Sequence, residues 1–376
     1  MRVAVHRYGM ANPADVSALS GEIAAGRIDP ARIVAIIGKT EGNGGANDFT
    51  RALATLSVAT VLAAATGETQ ADVIERVALV WSGGCEGVLS PHMTVITRDD
   101  GVPATNGGGG LAVSVQRTRA IQPEEVGTLA EVAEVAAATR RALADLSISD
   151  PADVHYVQVK GPLLTPAAIA AAIARGGTVV TTDPNASKAY ARGAKALGVA
   201  VALGEVDEDA LTDAAITRDS RLYSSVAATS AGGELTACEV VLFANSPSAV
   251  ADYRIGHATL RDTVDAEGVL ACLRSAGLPI DCLPTGEQRD RVAAVFAKAA
   301  ASPDGQVRGR RTTMLSDADI NYERHARAAL GGVIASITGD PQIFVSGGTE
   351  HQCLPGEAPI AAIVRADATS TARDSA

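Results

Sequence analysis

The sequence reads as an α/β protein assembled from three similar units in one chain, and three observations carry that expectation. Alanine-rich amphipathic stretches at 123–144, 165–175, 187–197 and 323–336 alternate with short β-branched runs at 32–37, 76–81, 154–159, 199–203, 239–243 and 341–345, as helices alternating with strands do. Two stretches rich in turn-forming residues, Asp99 to Gly110 with its glycine run Gly107–Gly110 and Asn245 to Ile255, cut the chain into near-thirds. Within each third, a lysine, an arginine and a serine recur in the same order.

Taken in order, the opening MRVAVHRYGM has the alternation of a strand and lacks the charged-then-apolar layout of a signal peptide. VAIIGK is a strand ending in Lys39, DFTRALATL an apolar helix opened by Arg51, and ALVWSGG a strand running into Ser82-Gly83-Gly84. In the middle third VHYVQVK is a strand ending in Lys160, AYARGAKAL a helix carrying Arg192, and Ser230-Ala231-Gly232-Gly233 follows. In the last, VAAVFAK ends in Lys298, YERHARAAL is a helix opened by Arg324, and QIFVSGG runs into Ser346-Gly347-Gly348. The expected units are 1–104, 111–250 and 256–366, with the small polar residues ATSTARDSA as a loose tail.

Composition narrows the function. The 376 residues are 47% apolar and 3% aromatic, with 43 acidic against 32 basic side chains and a formal net charge of −11. Such a chain offers neither a phosphate-neutralising surface nor a stacking platform, so no nucleic acid partner is expected. No uninterrupted apolar run approaches the roughly 18 residues of a membrane span; no membrane partner is expected, and the expected location is cytoplasmic. Cys85, Cys238, Cys272, Cys282 and Cys353 are odd in number, scattered and never paired as CxxC, a pattern of reduced thiols.

The repeated triplet suggests the chemistry. A buried ammonium is costly unless paired or neutral, so a lysine closing an apolar strand is out of place as a mere solvated charge. Desolvation and neighbouring cations depress a lysine from about 10.4 toward roughly 7–8, where it can take a serine's proton. The small residue after each serine, Gly83, Ala231 or Gly347, lets backbone N–H groups approach a carbonyl oxygen as it gains charge. These parts describe amide or imide hydrolysis, and three equivalent sets suit a small ring with several carbonyls. By symmetry the three Ser–Lys pairs are indistinguishable at this stage.

Other motifs fail. IVAIIGKT ends like a phosphate-binding loop but has Ile33 where that loop needs glycine. The glycine run lacks GxGxxG spacing. His6, His92, His155, His257, His325 and His351 form no HxxxH pair, and a histidine triad would leave the lysines unexplained.

GKTEGNGGANDFTR at 38–51, WSGGCEGVLSPH at 81–92, VQVKGPLLTP at 157–166, VFAKAAASPDGQVRGRRTTMLSDADIN at 295–321 and SGGTEHQ at 346–352 together resemble the cyanuric acid hydrolase/barbiturase family of cyclic amide hydrolases, from about residue 4 to 366. The resemblance implies three α/β units around a pseudo-threefold axis with the active site at the centre. It implies Ser230 as nucleophile with Lys160 as base, and supporting pairs Ser82–Lys39 and Ser346–Lys298. Arg51, Arg192 and Arg324, with the backbone at Gly83, Ala231 and Gly347, would bind substrate. That substrate would be a small cyclic imide: cyanuric acid, opened to carboxybiuret and then biuret and carbon dioxide, or alternatively barbituric acid, opened to ureidomalonate, or another ring. Tyr322-Glu323 is the segment suspected of setting the difference. A non-catalytic small-ring binder is the remaining reading, and retention of three Ser–Lys pairs argues against it. A homotetramer is also implied.

Two departures from the family pattern concern a structural Mg²⁺ or Ca²⁺. Where the family often has Lys-Ala-Glu, this chain has Lys298-Ala299-Ala300, and its glycine-rich ending is here Cys353-Leu354-Pro355-Gly356-Glu357-Ala358-Pro359. A hard cation needs several oxygen ligands, so the expectation is no metal cofactor; if one were kept, it would lie near Gln352 and Glu357.

Overall fold

Three sheets of identical strand order organise the chain in the computed structural model, which describes residues 1–104 and 109–367. Part of the expected glycine joint, Gly107 and Gly108, and the tail 368–376 lie outside the described residues. The first sheet comes from β1 (Arg2–Gly9), α1 (Ser17–Ala24), β2 (Ile33–Thr40), α2 (Phe49–Thr66), α3 (Gln70–Arg76), β3 (Ala78–Gly83) and β4 (His92–Asp99). The second comes from β5 (Gly110–Ala120), α4 (Leu129–Asp145), β6 (Val154–Pro162), α5 (Pro166–Ala174), α6 (Ser187–Leu203), β7 (Ala227–Gly232) and β8 (Ala237–Ser246). The third comes from β9 (Tyr253–Leu260), α7 (Ala266–Ser275), α8 (Gly286–Asp290), β10 (Val292–Ala299), the small hairpin β11 (Gln306–Val307) and β12 (Arg310–Arg311), α9 (Tyr322–Thr338), β13 (Phe344–Gly347) and β14 (Ala358–Arg365).

In each sheet the first strand pairs antiparallel with the last, the last antiparallel with the second, and the second parallel with the third: β1-β4-β2-β3, β5-β8-β6-β7 and β9-β14-β10-β13. Alternation along a strand gives every sheet two faces. One face of all three meets in a shared core that includes Ile37 and Val80 from the first sheet, Tyr156 and Phe243 from the second, and Phe296 and Phe344 from the third. The four aromatic rings pack with centroids 5.4–6.2 Å apart, within the range of favourable ring contacts. The opposite faces carry the helices: α2 on the first sheet, α4 and α6 on the second, α7 and α9 on the third.

The long helix of each unit ends on a left-handed glycine, Gly67, Gly204 or Gly339, with φ of 79°, 73° and 78°, which lets the chain turn back without a Cβ clash. Helix α2 is long and apolar enough by composition to cross a membrane; here Ala54, Val58 and Leu62 pack it onto the first sheet. The run 199–203, expected as a strand, is instead the end of α6. It packs against the sheet on one side and against Leu211 and Ile216 on another, and an apolar run buried all round has no periodicity to separate helix from strand. All five cysteines are free.

Candidate active site

Parallel pairing of the second and third strands sets each lysine against a serine. Lys39 on β2 stands opposite Ser82 on β3, Lys160 on β6 opposite Ser230 on β7, and Lys298 on β10 opposite Ser346 on β13. Two residues back on the same faces lie Ile37 and Val80, Gln158 and Ala228, and Phe296 and Phe344, all buried. A one-residue slip would turn the apolar residues and the lysines to the other face together, so the shared core holds the register. All six side chains thereby converge at the end of that core. A narrow cavity of about 40 Å³ there is lined by Arg51, Arg192, Lys160 and the three serines, together with Gly83, Ala231 and Gly347. Lys39 and Lys298 are fully buried behind it.

Each ammonium also crosses to a neighbouring unit, donating to the carbonyl of the residue before that unit's serine. Lys39 Nζ reaches Val345 O at 2.7 Å, Lys160 Nζ reaches Trp81 O at 2.9 Å and Lys298 Nζ reaches Thr229 O at 2.7 Å. These bonds run in one sense around the centre. Within the units the pairs differ. Lys39 Nζ lies 3.3 Å from Ser82 Oγ and Lys298 Nζ 3.0 Å from Ser346 Oγ. Ser230 Oγ is buried with no hydrogen-bond partner, while Lys160 Nζ sits 3.2 Å from Glu234 Oε1.

That glutamate belongs to a set the sequence reading missed. Glu86, Glu234 and Glu350 each stand four residues after a site serine, in SGGCE, SAGGE and SGGTE, and the repeated serine–small–glycine–x–glutamate string was the signal for them. Each grips an arginine from another unit. Arg51 Nε meets Glu234 at 3.0 Å, Arg192 is bidentate on Glu350 at 2.6 and 2.7 Å, and Arg327 Nη2 meets Glu86 at 2.5 Å. Charge-assisted pairs of this kind fix a guanidinium plane as well as its charge.

The third arginine of the cluster is therefore Arg327, not Arg324. Arg324 points away, donating through Nη2 to Asn43 O at 2.8 Å on the exposed side. Arg324 is the third residue of α9, as Arg51 is of α2; Arg327 is the sixth, as Arg192 is of α6. Glu323 and Arg327, four residues apart, share the face of α9 that lies over the Ser346 strand: a Cβ at Gly347 would come within 2.5 Å of Arg327 Nη1 and 3.1 Å of Glu323 Cβ. Gly83 serves the same close approach, since a Cβ there would meet Asp48 Oδ2 at 1.7 Å. Lys188, Glu323 and Arg327 also line the cavity.

The electrostatics make the lysines easier to deprotonate. Burial, then the Arg327 cation, pushes Lys39 down to about 8 against the pull of Glu86. Burial lowers Lys160 as well, with Arg51 adding to it and Glu234 opposing, and burial with Arg192 lowers Lys298 strongly. Burial alone would raise Glu234, but Lys160 and Arg51 outweigh it and hold the carboxyl at about 2. The cluster is one in which carboxylates stay charged and lysines give up protons readily.

The residues suspected of holding a cation are otherwise engaged. Gln352 Oε1 accepts the Thr229 N–H at 2.7 Å, and its amide donates to Gly348 O and Glu350 O. Glu357 accepts from Leu354 N at 3.3 Å, and Ala300 offers no carboxylate. Among the described residues no group of three or more His, Cys, Asp or Glu is arranged to hold a metal ion. This donor set does not fit a hard cation.

Comparison with known proteins agrees with this architecture. A family model described as amidohydrolase ring-opening protein matches residues 4–365. A cyclic amide hydrolase of Azorhizobium caulinodans is 61% identical over 369 residues, covering 97% of this chain and 100% of the relative. A cyanuric acid amidohydrolase of Bradyrhizobium diazoefficiens is 48% identical over 365 residues, covering 96% of this chain and 98% of the relative. A solved structure described as "Cyanuric acid hydrolase: evolutionary innovation by structural concatenation" superposes with a TM-score of 0.92 at 46% identity, covering 97% of this chain and 99% of that one.

Proposed function

We propose, from the premise that this chain belongs to the ring-opening amidohydrolase family and hydrolyses a cyclic amide, that its substrate is cyanuric acid and its working pair Ser230 and Lys160. The observation that carries the substrate is the threefold repetition of lysine, serine and glutamate-held arginine around one small cavity. A planar ring with three equivalent carbonyls presents the same group to each unit. The naming of relatives as cyanuric acid amidohydrolases supports the same choice.

Ser230 is favoured as nucleophile because its buried Oγ is the one site hydroxyl with no hydrogen bond to give up. Lys160 stands opposite it in register, so rotation of the lysine side chain brings Nζ to Oγ. Neutral Lys160 takes the Ser230 proton as Oγ attacks a ring carbonyl carbon. The tetrahedral intermediate collapses with cleavage of the ring C–N bond, and the leaving nitrogen takes the proton back from Lys160. Water, deprotonated by Lys160, then releases the acyl group and restores Ser230. The product, carboxybiuret, loses carbon dioxide to give biuret. Ser82–Lys39 and Ser346–Lys298 polarise the other two carbonyls, and Arg51, Arg192 and Arg327 hold the ring as its imide anion.

The test is incubation of the purified protein with cyanuric acid and, separately, barbituric acid, following loss of ring absorbance. Consumption of cyanuric acid with biuret as product is expected. Turnover of barbituric acid alone would transfer the substrate assignment to that ring.

A further inference from the structure

The three lysines differ in what flanks them on the antiparallel strand. Across from Lys39 on β4 is His92, and across from Lys160 on β8 is Glu239. Beside Lys298, one step past the Ala297–Ile360 pair, is Pro359. Directly opposed antiparallel residues share a sheet face with Cβ atoms about 4.5–5.5 Å apart. Only Glu239 can bring a charge there: burial pushes its carboxyl up to about 7 against the pull of Arg117 and the Leu79 N–H, so it is ionised over the neutral-to-alkaline part of the working range. His92 is pushed down to about 4, chiefly by burial, so it is neutral at working pH, and proline does not ionise.

Glu239 is 1% exposed and does not line the cavity. Its Oε2 accepts the Leu79 N–H at 3.1 Å, and its Oε1 accepts from the Arg117 guanidinium on β5. Arg117 in turn lies 3.4 Å from Glu75. A carboxylate this deep is destabilising unless so partnered. Leu79 is two residues before Trp81, whose carbonyl accepts a hydrogen bond from Lys160, so the same glutamate anchors the strand that holds the lysine.

Resting on the assignment of Ser230 and Lys160 above, we propose that Glu239 is a positioning residue that helps to break the threefold symmetry, its carboxylate strengthening Lys160 as a base where the equivalent positions beside Lys39 and Lys298 carry no charge. Other charges face Lys160: Glu234 at 3.2 Å acts in the same direction, and Arg51 opposes it. Arg192, Lys188, Arg327 and Glu323 line the rest of the cavity. Glu234 has sequence counterparts in Glu86 and Glu350; it stands nearer its lysine than Glu86 does to Lys39, 3.2 against 3.8 Å, and adds to the asymmetry. Glu239 has no counterpart. A base of higher proton affinity takes the serine proton more readily once it is itself neutral.

The experiment is the dependence of kcat and kcat/KM on pH from 6 to 10 for the full-length enzyme, Glu239→Gln and His92→Gln, on whichever of the two rings the enzyme consumes. Loss of the Glu239 charge is expected to move the ascending limb down by roughly 0.5–1 pH unit and to lower the plateau kcat by about 2–10-fold with little change in KM. His92→Gln is expected to leave the limb in place. A folded Glu239→Gln enzyme whose limb coincides with the parent, or an equal shift in His92→Gln, overturns the proposal. Should Glu239→Gln fail to fold, the double variant Glu239→Gln/Arg117→Met removes the charge without orphaning the guanidinium and is read the same way. Ser230→Ala separates the two levels: retained turnover defeats the underlying assignment, whereas an inactive Ser230→Ala with an unmoved Glu239→Gln limb defeats the role of Glu239 alone.

Discussion

At the residue scale the three serines look alike in sequence and unlike in structure, and their alanine variants should separate. Ser230→Ala is expected to lower kcat by roughly 10⁴–10⁶ while circular dichroism stays native, as deletion of a nucleophile does elsewhere. Ser82→Ala and Ser346→Ala should cost far less, because their hydroxyls are already bonded to lysines; equal loss at all three would remove the case for a single nucleophile. The pH dependence has a definite sign. In the proposed mechanism the working form of Lys160 is neutral, and burial lowers its pKa below 10.5, so activity should rise with pH and level off before the pH at which a free lysine would titrate. A profile flat from pH 6 to 10 would speak against a lysine base. Lys160→Arg should be inactive although charge is kept, since guanidinium does not deprotonate in this range. The arginines provide a sharper contrast: Arg327→Ala strands the buried Glu86 carboxylate and should reduce kcat/KM by about 30-fold or more, whereas Arg324→Ala, cutting one exposed bond to Asn43 O, should stay within about threefold. The reverse ranking in steady-state kinetics would return the role to Arg324.

At the scale of elements, the site depends on strand register and on glycines that admit charged side chains. Gly83→Ala places a methyl 1.7 Å from Asp48 Oδ2, and Asp48 also caps α2 through the Thr50 N–H at 3.0 Å. That substitution must displace the cap or the strand carrying Ser82. Gly67→Ala meets no atom within 4 Å but sits at φ 79°, so only the backbone resists it, at about 1–2 kcal/mol. Thermal denaturation should show a modest loss for Gly67→Ala with kcat unchanged, and a larger loss with impaired turnover for Gly83→Ala. Equal effects on both properties would mean that the approach of Asp48 to the serine strand does not matter to the site.

For the whole molecule, three sheets share one core and three lysines stitch each unit to the next through Val345, Trp81 and Thr229 carbonyls. The loop at 348–356 is joined to the second unit by direct bonds: Gln352 to Thr229 N, Cys353 N to Ser224 O at 3.0 Å, and Ser224 N to His351 O at 3.0 Å. With protein groups in those places, chelator treatment should leave activity and Tm unchanged, because a site without its main anionic ligand adds little binding energy to the folded state. A rise in Tm with millimolar Mg²⁺ or Ca²⁺, lost on mutating Glu357, would show that a cation is held after all.

The sequence by itself determined the threefold plan and the side chains that the plan brings to the centre, save the third arginine and the three glutamates. Lysine-ended strands and serine-glycine turns are local features, and their order survives in the chain because each unit repeats the same strand sequence. What only the tertiary structure decided involves groups that meet across units. The Arg327–Glu86 pair is 241 positions apart and Arg51–Glu234 183, distances over which local pattern carries no information. The choice of Arg327 over Arg324 turns on which face of α9 lies over β13, and the helical end of α6 on an apolar run being covered from two sides. The inequality of the three lysines is of the same kind: His92, Glu239 and Pro359 become comparable positions only once the antiparallel register sets each beside its lysine, because pairing between strands, unlike alternation along one, is fixed by the packing of the whole core.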